Sequence, residues 1–391
     1  MPPGIVADRT AAEIVRIRAS GLETETLRRQ VIRRLRAAVP YDAYCCGTID
    51  PLTLLVTSEL SEGIPATAFA RAAENEYLVA DVNKFCVLAR SRTKVGILSQ
   101  ATGGMPASSP RYRDLLEPLG FGPELRAAFV DGGRCWGGVT LFRHRDQPDF
   151  TPAEARFVSR LAAHIAAGLR AALVREGRPA ASPTGPGVVV LDEALQMDAI
   201  TPEAERWLAE LPGSQAPGSA ALPGAVYELA SQVRALHATN IGPDAPPARL
   251  RVRARSGQWL VLHASRLTRP RDPAPRTAIV IEIARPPEIA PLVAQAYGFS
   301  PREQDVLERV LSGASTAQTA RTLAISSHTV GDYLKTIFDR VGVRSQRELI
   351  AHFLGGTDSA RGDAPALPYG DIAPRVVFGW RPGSGGKVGR A

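Results

Sequence analysis

The chain has 391 residues, a length that suits two or three domains, and is 45% hydrophobic and 22% charged, a balance ordinary for soluble globular protein. It contains no unbroken apolar run of about eighteen residues, and its N-terminus lacks the apolar core of a secretory leader, so neither a membrane span nor a signal peptide is expected and a cytoplasmic location is. The net charge is +8, and the four cysteines (Cys45, Cys46, Cys86, Cys135) form no C-x-x-C pair, which speaks against a disulfide scaffold or a structural zinc site.

In chain order, residues 1–20 read as an N-terminal helical segment. A second helix spans 23–38, with Leu27, Val31 and Leu35 on one stripe and Arg28, Arg29, Arg33, Arg34 and Arg36 on the other side, read as a solvated face. Residues 44–50 and 53–58 read as paired strands around Asp50-Pro51, and 66–77 as helical. The strongest hairpin signal joins 125–130 to 135–142 through Asp131-Gly132-Gly133, because D-G supplies the positive φ of a tight turn. Thr151-Pro152-Ala153-Glu154 is a capping box that opens a long helix through Phe157, Leu161, Ile165 and Leu169. This order predicts an α+β domain over 21–178, a mixed sheet with helices on one face. The run G-G-V-T-L-F-R followed by F-T-P-A-E and L-A-x-H-I-A resembles a GAF domain, which implies a pocket between sheet and helices.

Residues 179–187, rich in Gly, Pro and Ala, read as a linker. Over 188–285 a short apolar strand, a helix capped by Thr201 with Trp207 and Leu208 inside it, a second helix from Val226, an alternating strand from Arg249 and two further strands follow. That order is similar to a PAS-like sensor fold. Residues 286–298 read as a linker helix, and 355–391, without periodicity, as a disordered tail.

Residues 299–354 carry the densest signals. Ser300-Pro301-Arg302-Glu303 is a capping box with proline at the first helical position, and Gly313 stops the helix. Ser315 starts a short second helix. After Ala324-Ile325-Ser326 a third begins, with Val330, Leu334, Ile337 and Val341 on its buried side, and Ser345-Gln346-Arg347-Glu348 caps a fourth. This is the helix-turn-helix arrangement. The P-R-E of the first helix, Val306-Leu307, Gly313, Ala320, Leu323, Ile325-Ser326, Thr329-Val330, Gly342-Val343 and Glu348-Leu349 resemble the DNA-binding domain of the LuxR family of bacterial transcription regulators. Three positions depart from that family's habit: Thr319 for an aliphatic residue, Gly331 for a lysine and Tyr333 for a histidine.

The fold class expected is therefore multidomain: an α+β GAF/PAS-like sensor region, then an all-α four-helix LuxR-type domain. The resemblance implies double-stranded DNA as partner, a homodimer, and RNA polymerase as a further partner. Ser326, Ser327, His328, Thr329, Gly331, Asp332, Lys335, Thr336 and Arg340 are the expected DNA-binding residues. Lys335 is placed for a guanine or phosphate, and Gly331 lets backbone approach DNA at a helix cost of roughly 1 kcal/mol. Leu349, Ile350 and Phe353 are expected at a dimer interface. A small-molecule ligand would sit near Tyr41, Tyr44, Phe85 and Trp136. No catalytic residue, metal site or cofactor is expected, and no membrane partner. The alternative is a GAF-type thiol enzyme or a redox sensor built on the cysteines.

Overall fold

A computed structural model describes residues 3–175, 185–213, 222–238, 248–269 and 272–354. Most of the expected linker at 179–187 and all of the expected tail at 355–391 lie outside these residues. The chain opens with helices α1 (Pro3–Ala19) and α2 (Thr24–Ala38), strands β1 (Ala43–Ile49) and β2 (Val56–Glu62), and helices α3 (Phe69–Tyr77) and α4 (Phe85–Leu88). It continues through β3 (Val95–Ile97), α5 (Leu98–Ala101), β4 (Phe121–Asp131), β5 (Arg134–His144) and α6 (Pro152–Arg175). A second set follows: β6 (Gly187–Leu191), β7 (Met197–Ile200), α7 (Pro202–Glu210), α8 (Gly224–Ala238), β8 (Ala248–Arg253), β9 (Trp259–Arg269) and β10 (Asp272–Ile283). Five helices complete it: α9 (Pro286–Tyr297), α10 (Pro301–Leu311), α11 (Thr316–Leu323), α12 (Ser327–Val341) and α13 (Gln346–Leu354).

Among the described residues the strands form two five-stranded sheets, ordered β2-β1-β5-β4-β3 and β7-β6-β10-β9-β8. Every strand pair is antiparallel, so the mixed sheet expected from sequence is corrected. The β4–β5 hairpin turns through Gly132 and Gly133, whose φ of 57° and 74° no side chain favours. Its strands are central, and β5 is buried continuously from Cys135 to Arg143. Alternation would have marked one wet face; this run has none, and the first sheet is covered on both sides. Helices α1, α2 and α6 cover one face, with Leu35, Phe129, Val139 and Ile165 in their core, and α3 to α5 lie over the other. Helices on one face only is thus a second correction. Gly137 and Gly138 serve the two layers separately: a Cβ at Gly137 would lie 2.6 Å from Leu169 Cδ1, and one at Gly138 2.4 Å from Phe85 Cε1.

Residues 63–120 have few long elements, and buried charge orders them. Arg111 donates to both Glu124 oxygens at 3.0 and 2.8 Å and to Asn75 Oδ1 at 3.2 Å. Asp81 accepts from Asn75, Ser109 and the Arg111 amide. Arg28, expected on a solvated face, is buried; it donates to the carbonyls of Cys46 and Ser58 at 2.9 and 3.2 Å. The guanidinium reaches carbonyls of adjacent strands that a hydrocarbon could not satisfy.

Helix α6 is long and apolar enough to cross a membrane, with 50% of that stretch buried inside the fold, where it is the core helix of the first sheet. Helix α9, expected as a linker, is also a core element. Ile289, Leu292, Val293, Ala294 and Ala296 are buried in one apolar cluster that includes Leu161 and Leu169 of α6 and Val306 and Leu307 of α10. Arg251 of β8 fixes the junction: it meets Asp50 of the β1–β2 turn at 3.1 Å, and its Nε donates to the Glu288 carbonyl. Both side chains are at most 3% exposed. Arg251→Met, which leaves Asp50 buried and unpaired, is expected to destabilise the protein by about 3 to 5 kcal/mol in denaturant unfolding.

Candidate nucleic-acid interface

The C-terminal helices start and stop where local chemistry dictates. Ser300 Oγ accepts from the Glu303 amide at 3.3 Å while Glu303 Oε2 accepts from the Ser300 amide at 2.6 Å. Ser315 and Gln318 repeat the exchange at 3.2 and 2.8 Å. Ser326 Oγ accepts from the Thr329 amide at 3.0 Å and shares a hydrogen with Thr329 Oγ1 at 2.8 Å, capping α12. Ala324 at φ 53° makes the turn between α11 and α12, and Gly342 at φ 81° ends α12. Val306, Leu307, Val310, Val330, Ile337 and Leu349 are fully buried between these helices.

With that stripe turned inward, α12 shows Ser327, His328, Gly331, Asp332, Lys335 and Asp339 to solvent, with Thr329 and Thr336 half-buried. His328 Nε2 lies 3.8 Å from Asp332 Oδ2, with side chains 91% and 68% exposed, too wet a pair to fix either group. Thr336 Oγ1 donates to the Asp332 carbonyl at 3.1 Å. Lys335 has no ion pair among the described residues. The helix start therefore offers three hydroxyls, those of Ser326, Ser327 and Thr329, and unspent first-turn N–H groups, a cap suited to phosphate, and one cation a turn further on.

Arg340, grouped with these residues from sequence, is engaged elsewhere. Its Nη1 donates to the Gly298 carbonyl at 3.2 Å and to Glu303 Oε2 at 3.4 Å, and the guanidinium lies 5.7 Å from the Phe299 ring centre. It ties the end of α12 to the α9–α10 junction, because Glu303 is left at that spot by its capping role. Leu349 is 0% exposed, packed in the core of its own chain. Ile350 is half-buried against the same core, and the Phe353 side chain lies outside the described residues. Sequence reasoning missed the contact of α13 with α9, where Tyr297 Oη and His352 Nε2 are 3.1 Å apart. The departures from family habit also show their consequences here. Thr319 is fully buried with Oγ1 unbonded among the described residues, Tyr333 is half-buried, and a Cβ at Gly331 would meet nothing within 4 Å.

The four residues expected to line a ligand pocket separate. Tyr41, whose hydroxyl donates to the Ile32 carbonyl at 2.9 Å, and Tyr44 pack edge to face in the core and line neither of the two cavities described below. Trp136 lines a cleft of about 390 Å3 between the two sheets, and Phe85 a smaller cavity of about 80 Å3 beneath α3 and α4. Phe85 is covered by the Arg126 guanidinium, 4.1 Å from its ring centre. Adjacent Cys45 and Cys46 point to opposite faces of β1, so the strand separates their sulfurs. Burial pushes the Cys45 thiol well up and those of Cys46 and Cys135 to about 11, which suppresses the thiolate that nucleophilic or redox chemistry requires.

Residues 298–353 match the model described as bacterial regulatory proteins, luxR family, and this C-terminal segment is a domain of that family. A probable HTH-type transcriptional regulator, GfsR, of Streptomyces halstedii is 34% identical over 60 residues, which is 15% of this chain; the match spans a quarter of that relative's length. Among solved structures, the GAF domain of a phosphoenolpyruvate-protein phosphotransferase from Coxiella burnetii is 18% identical, with 43% of this chain and 95% of that one covered at a TM-score of 0.31. Escherichia coli SdiA is 12% identical, with 88% and 94% covered at a TM-score of 0.33. Structural likenesses this remote do not bear on activity.

Two outcomes test this geometry. Gly331→Ala is expected to raise unfolding stability by about 1 kcal/mol, since the helix gains and a Cβ there meets nothing within 4 Å; thermal melts on one preparation read it. Glu59, lining the smaller cavity, has its carboxyl pushed by burial from 4.5 to about 7. Its folded pKa lies above the unfolded one, so its contribution is complete below about pH 4.5 and lost as pH rises to about 7. Glu59→Gln is expected to flatten that fall in a pH series of denaturant midpoints.

Proposed function

We propose that this chain is a sequence-specific DNA-binding transcription regulator. In this reading, residues 21–178 form a GAF-like and 188–285 a PAS-like sensor domain, and both act on the helix-turn-helix domain at 299–354. One observation carries it: a domain of the luxR family presents the first turns of α12, from Ser326 to Lys335, outward with hydroxyls, N–H groups and a lysine that has no ion pair among the described residues. A helix so placed enters the major groove, where Ser326, Ser327 and Thr329 hold phosphate while Lys335 reaches a guanine edge or a second phosphate. His328, Asp332 and Thr336 flank that contact.

The buried helix α9 supports control by the sensor region, because a shift of either sheet module against α6 or β8 is carried by its packing into α10. A homodimer would place two α12 helices on successive major grooves over an inverted repeat. With Leu349 packed in the core, Ile350, Phe353 and the sensor modules are the surfaces proposed to hold that dimer. The raised thiols of Cys45, Cys46 and Cys135 favour this reading over a thiol enzyme or redox switch.

Selection from a random duplex library with the full chain is expected to enrich one inverted repeat, and failure to enrich any sequence would falsify the regulator reading. On the selected site, Lys335→Ala is expected to cost about 1 to 3 kcal/mol with relaxed preference at one base position if the contact is to a base. Uniform weakening with a shallower salt dependence would place the contact on phosphate instead.

A further inference from the structure

Three side chains that the DNA-binding reading leaves unused meet where the second sheet runs beneath the start of α9. They are His263 of β9, Glu282 of β10 and Glu288 of α9, and one donor atom from each lies within 4.8 Å of the other two. His263 Nε2 is 3.5 Å from Glu282 Oε1 and 4.0 Å from Glu288 Oε1. No hydrogen bond joins the imidazole to either acid among the described residues, so the three are gathered without bonding one another.

The backbone accounts for the meeting. In the register of β9 and β10, His263 stands opposite Val280, and Glu282, two residues on, faces the same way; Val261 of that face is buried in the core that includes α9. Glu288 brings one free oxygen, because its Oε2 accepts from the Arg285 amide at 2.8 Å as the cap of α9, which leaves Oε1 toward the imidazole. Arg251 holds the Glu288 carbonyl, so the backbone that carries this acid is fixed as well. The Glu288 side chain is 9% exposed, those of His263 and Glu282 31% and 40%, and the cluster is therefore closed on one side and open to water on the other.

This donor set fits a metal ion in chemistry and in spacing. One imidazole nitrogen with two carboxylate oxygens suits a divalent ion of the zinc class, and a tetrahedral ion with bonds of about 2.1 Å needs its donors about 3.4 Å apart. The pair of His263 and Glu282 already meets that separation, and the pair of His263 and Glu288 exceeds it by roughly 0.6 Å, which side-chain torsions can supply. Two cations oppose tight binding: Arg249 stands opposite His263 on β8, and Arg285 Nε lies 3.6 Å from Glu288 Oε2. Arg285 is 79% exposed, where water screens its charge. A site balanced in this way holds its ion exchangeably.

We propose that His263 Nε2, Glu282 and Glu288 Oε1 bind one divalent ion of the zinc class, with water on the open side completing its shell. An ion there joins β9 and β10 to the first turn of α9, the helix whose core includes Val306 and Leu307 of α10. The site rests on these three donors alone; its effect on DNA rests on the proposed function.

The probe is Zn2+, titrated by calorimetry into the full chain after EDTA has removed any bound metal, with Mg2+ as the oxygen-preferring counterpart. Saturable binding of one Zn2+ per chain with Kd below roughly 10 μM is expected, and binding of Mg2+ at least about a hundredfold weaker. His263→Ala and Glu282→Gln, both at partly exposed side chains, are each expected to weaken Zn2+ binding by more than about tenfold, the least that loss of a group supporting a metal ligand brings. Circular dichroism reports whether each variant is folded, and should one unfold the other decides. No saturable binding, or undiminished binding in a folded variant, overturns the site, and equal binding of Mg2+ overturns the zinc-class assignment. Saturating Zn2+ is further expected to change affinity for the selected DNA by about fivefold in the unmodified chain and not in the variants. Binding without that change overturns the coupling, whereas failure of DNA selection sinks the proposed function and leaves the Zn2+ titration to decide the site.

Discussion

The arrangement of this molecule depends on one buried guanidinium. Arg251 accepts the charge of Asp50 from the turn between β1 and β2 and bonds the carbonyl of Glu288 in the first turn of α9, so a residue of the second sheet holds the first sheet and the last helices together. Such a pair adds little net stability, because both ions lose their water. Its effect is on specificity of arrangement: if either module slides, a charge is left buried without its partner, and that cost exceeds the whole margin of many packing alternatives. Arg28 plays a similar part within the first sheet, and Arg111 within the irregular stretch over its other face.

Helix α9 follows from that constraint. Once Glu288 is fixed, the apolar residues that follow it have α6 on one side and α10 on the other, and they close a single core running from the first sheet into the C-terminal helices. A linker in solvent would need polar residues around its circumference; this one has Ile289, Leu292 and Val293 and is buried accordingly. Contact by contact, the connection offers packed side chains rather than slack chain, which is the kind of element through which two sites share an equilibrium.

Where local chemistry decides, the sequence was legible. The capping box at Ser300, the helix start at Ser315, the D-G hairpin and the apolar stripe of α12 depend on residues within one or two turns of each other, and the structure has each of them. Burial by distant partners was not legible. Arg28 sits on an arginine-rich helix face and looks solvated until Ser58 and Cys46 are brought beneath it. Leu349 looks like spare apolar surface until α13 is laid against the core, and Arg340 looks free until Glu303 and Gly298 approach from forty residues upstream. The second face of the first sheet was hidden for a related reason: its cover, between residues 63 and 120, is organised by Asp81, Glu124 and Arg111, and ion networks have no sequence period. The short strands β3 and β7 were missed because three or four residues are too few to show alternation.

The electrostatics of α12 set a condition on how the proposed function can work. Its outward face carries Lys335 against Asp332 and Asp339, with His328 beside Asp332, and Arg340 is turned back to the domain. A face this close to neutral draws little of the counterion release that gives most DNA-binding proteins their affinity for any duplex. Affinity must come instead from directed contacts at the capped start of the helix and from the close approach that Gly331 permits, and one such helix has few of them. Two copies on one site double those contacts for a single loss of rotational and translational freedom, so the weakness of the isolated reading face is itself an argument for a dimer. With Leu349 already inside the core, a pairing surface of the proposed dimer would fall on Ile350, Phe353 or the sensor modules, and in the last case the groups that join two copies would be the same ones that enclose the cleft and hold α9.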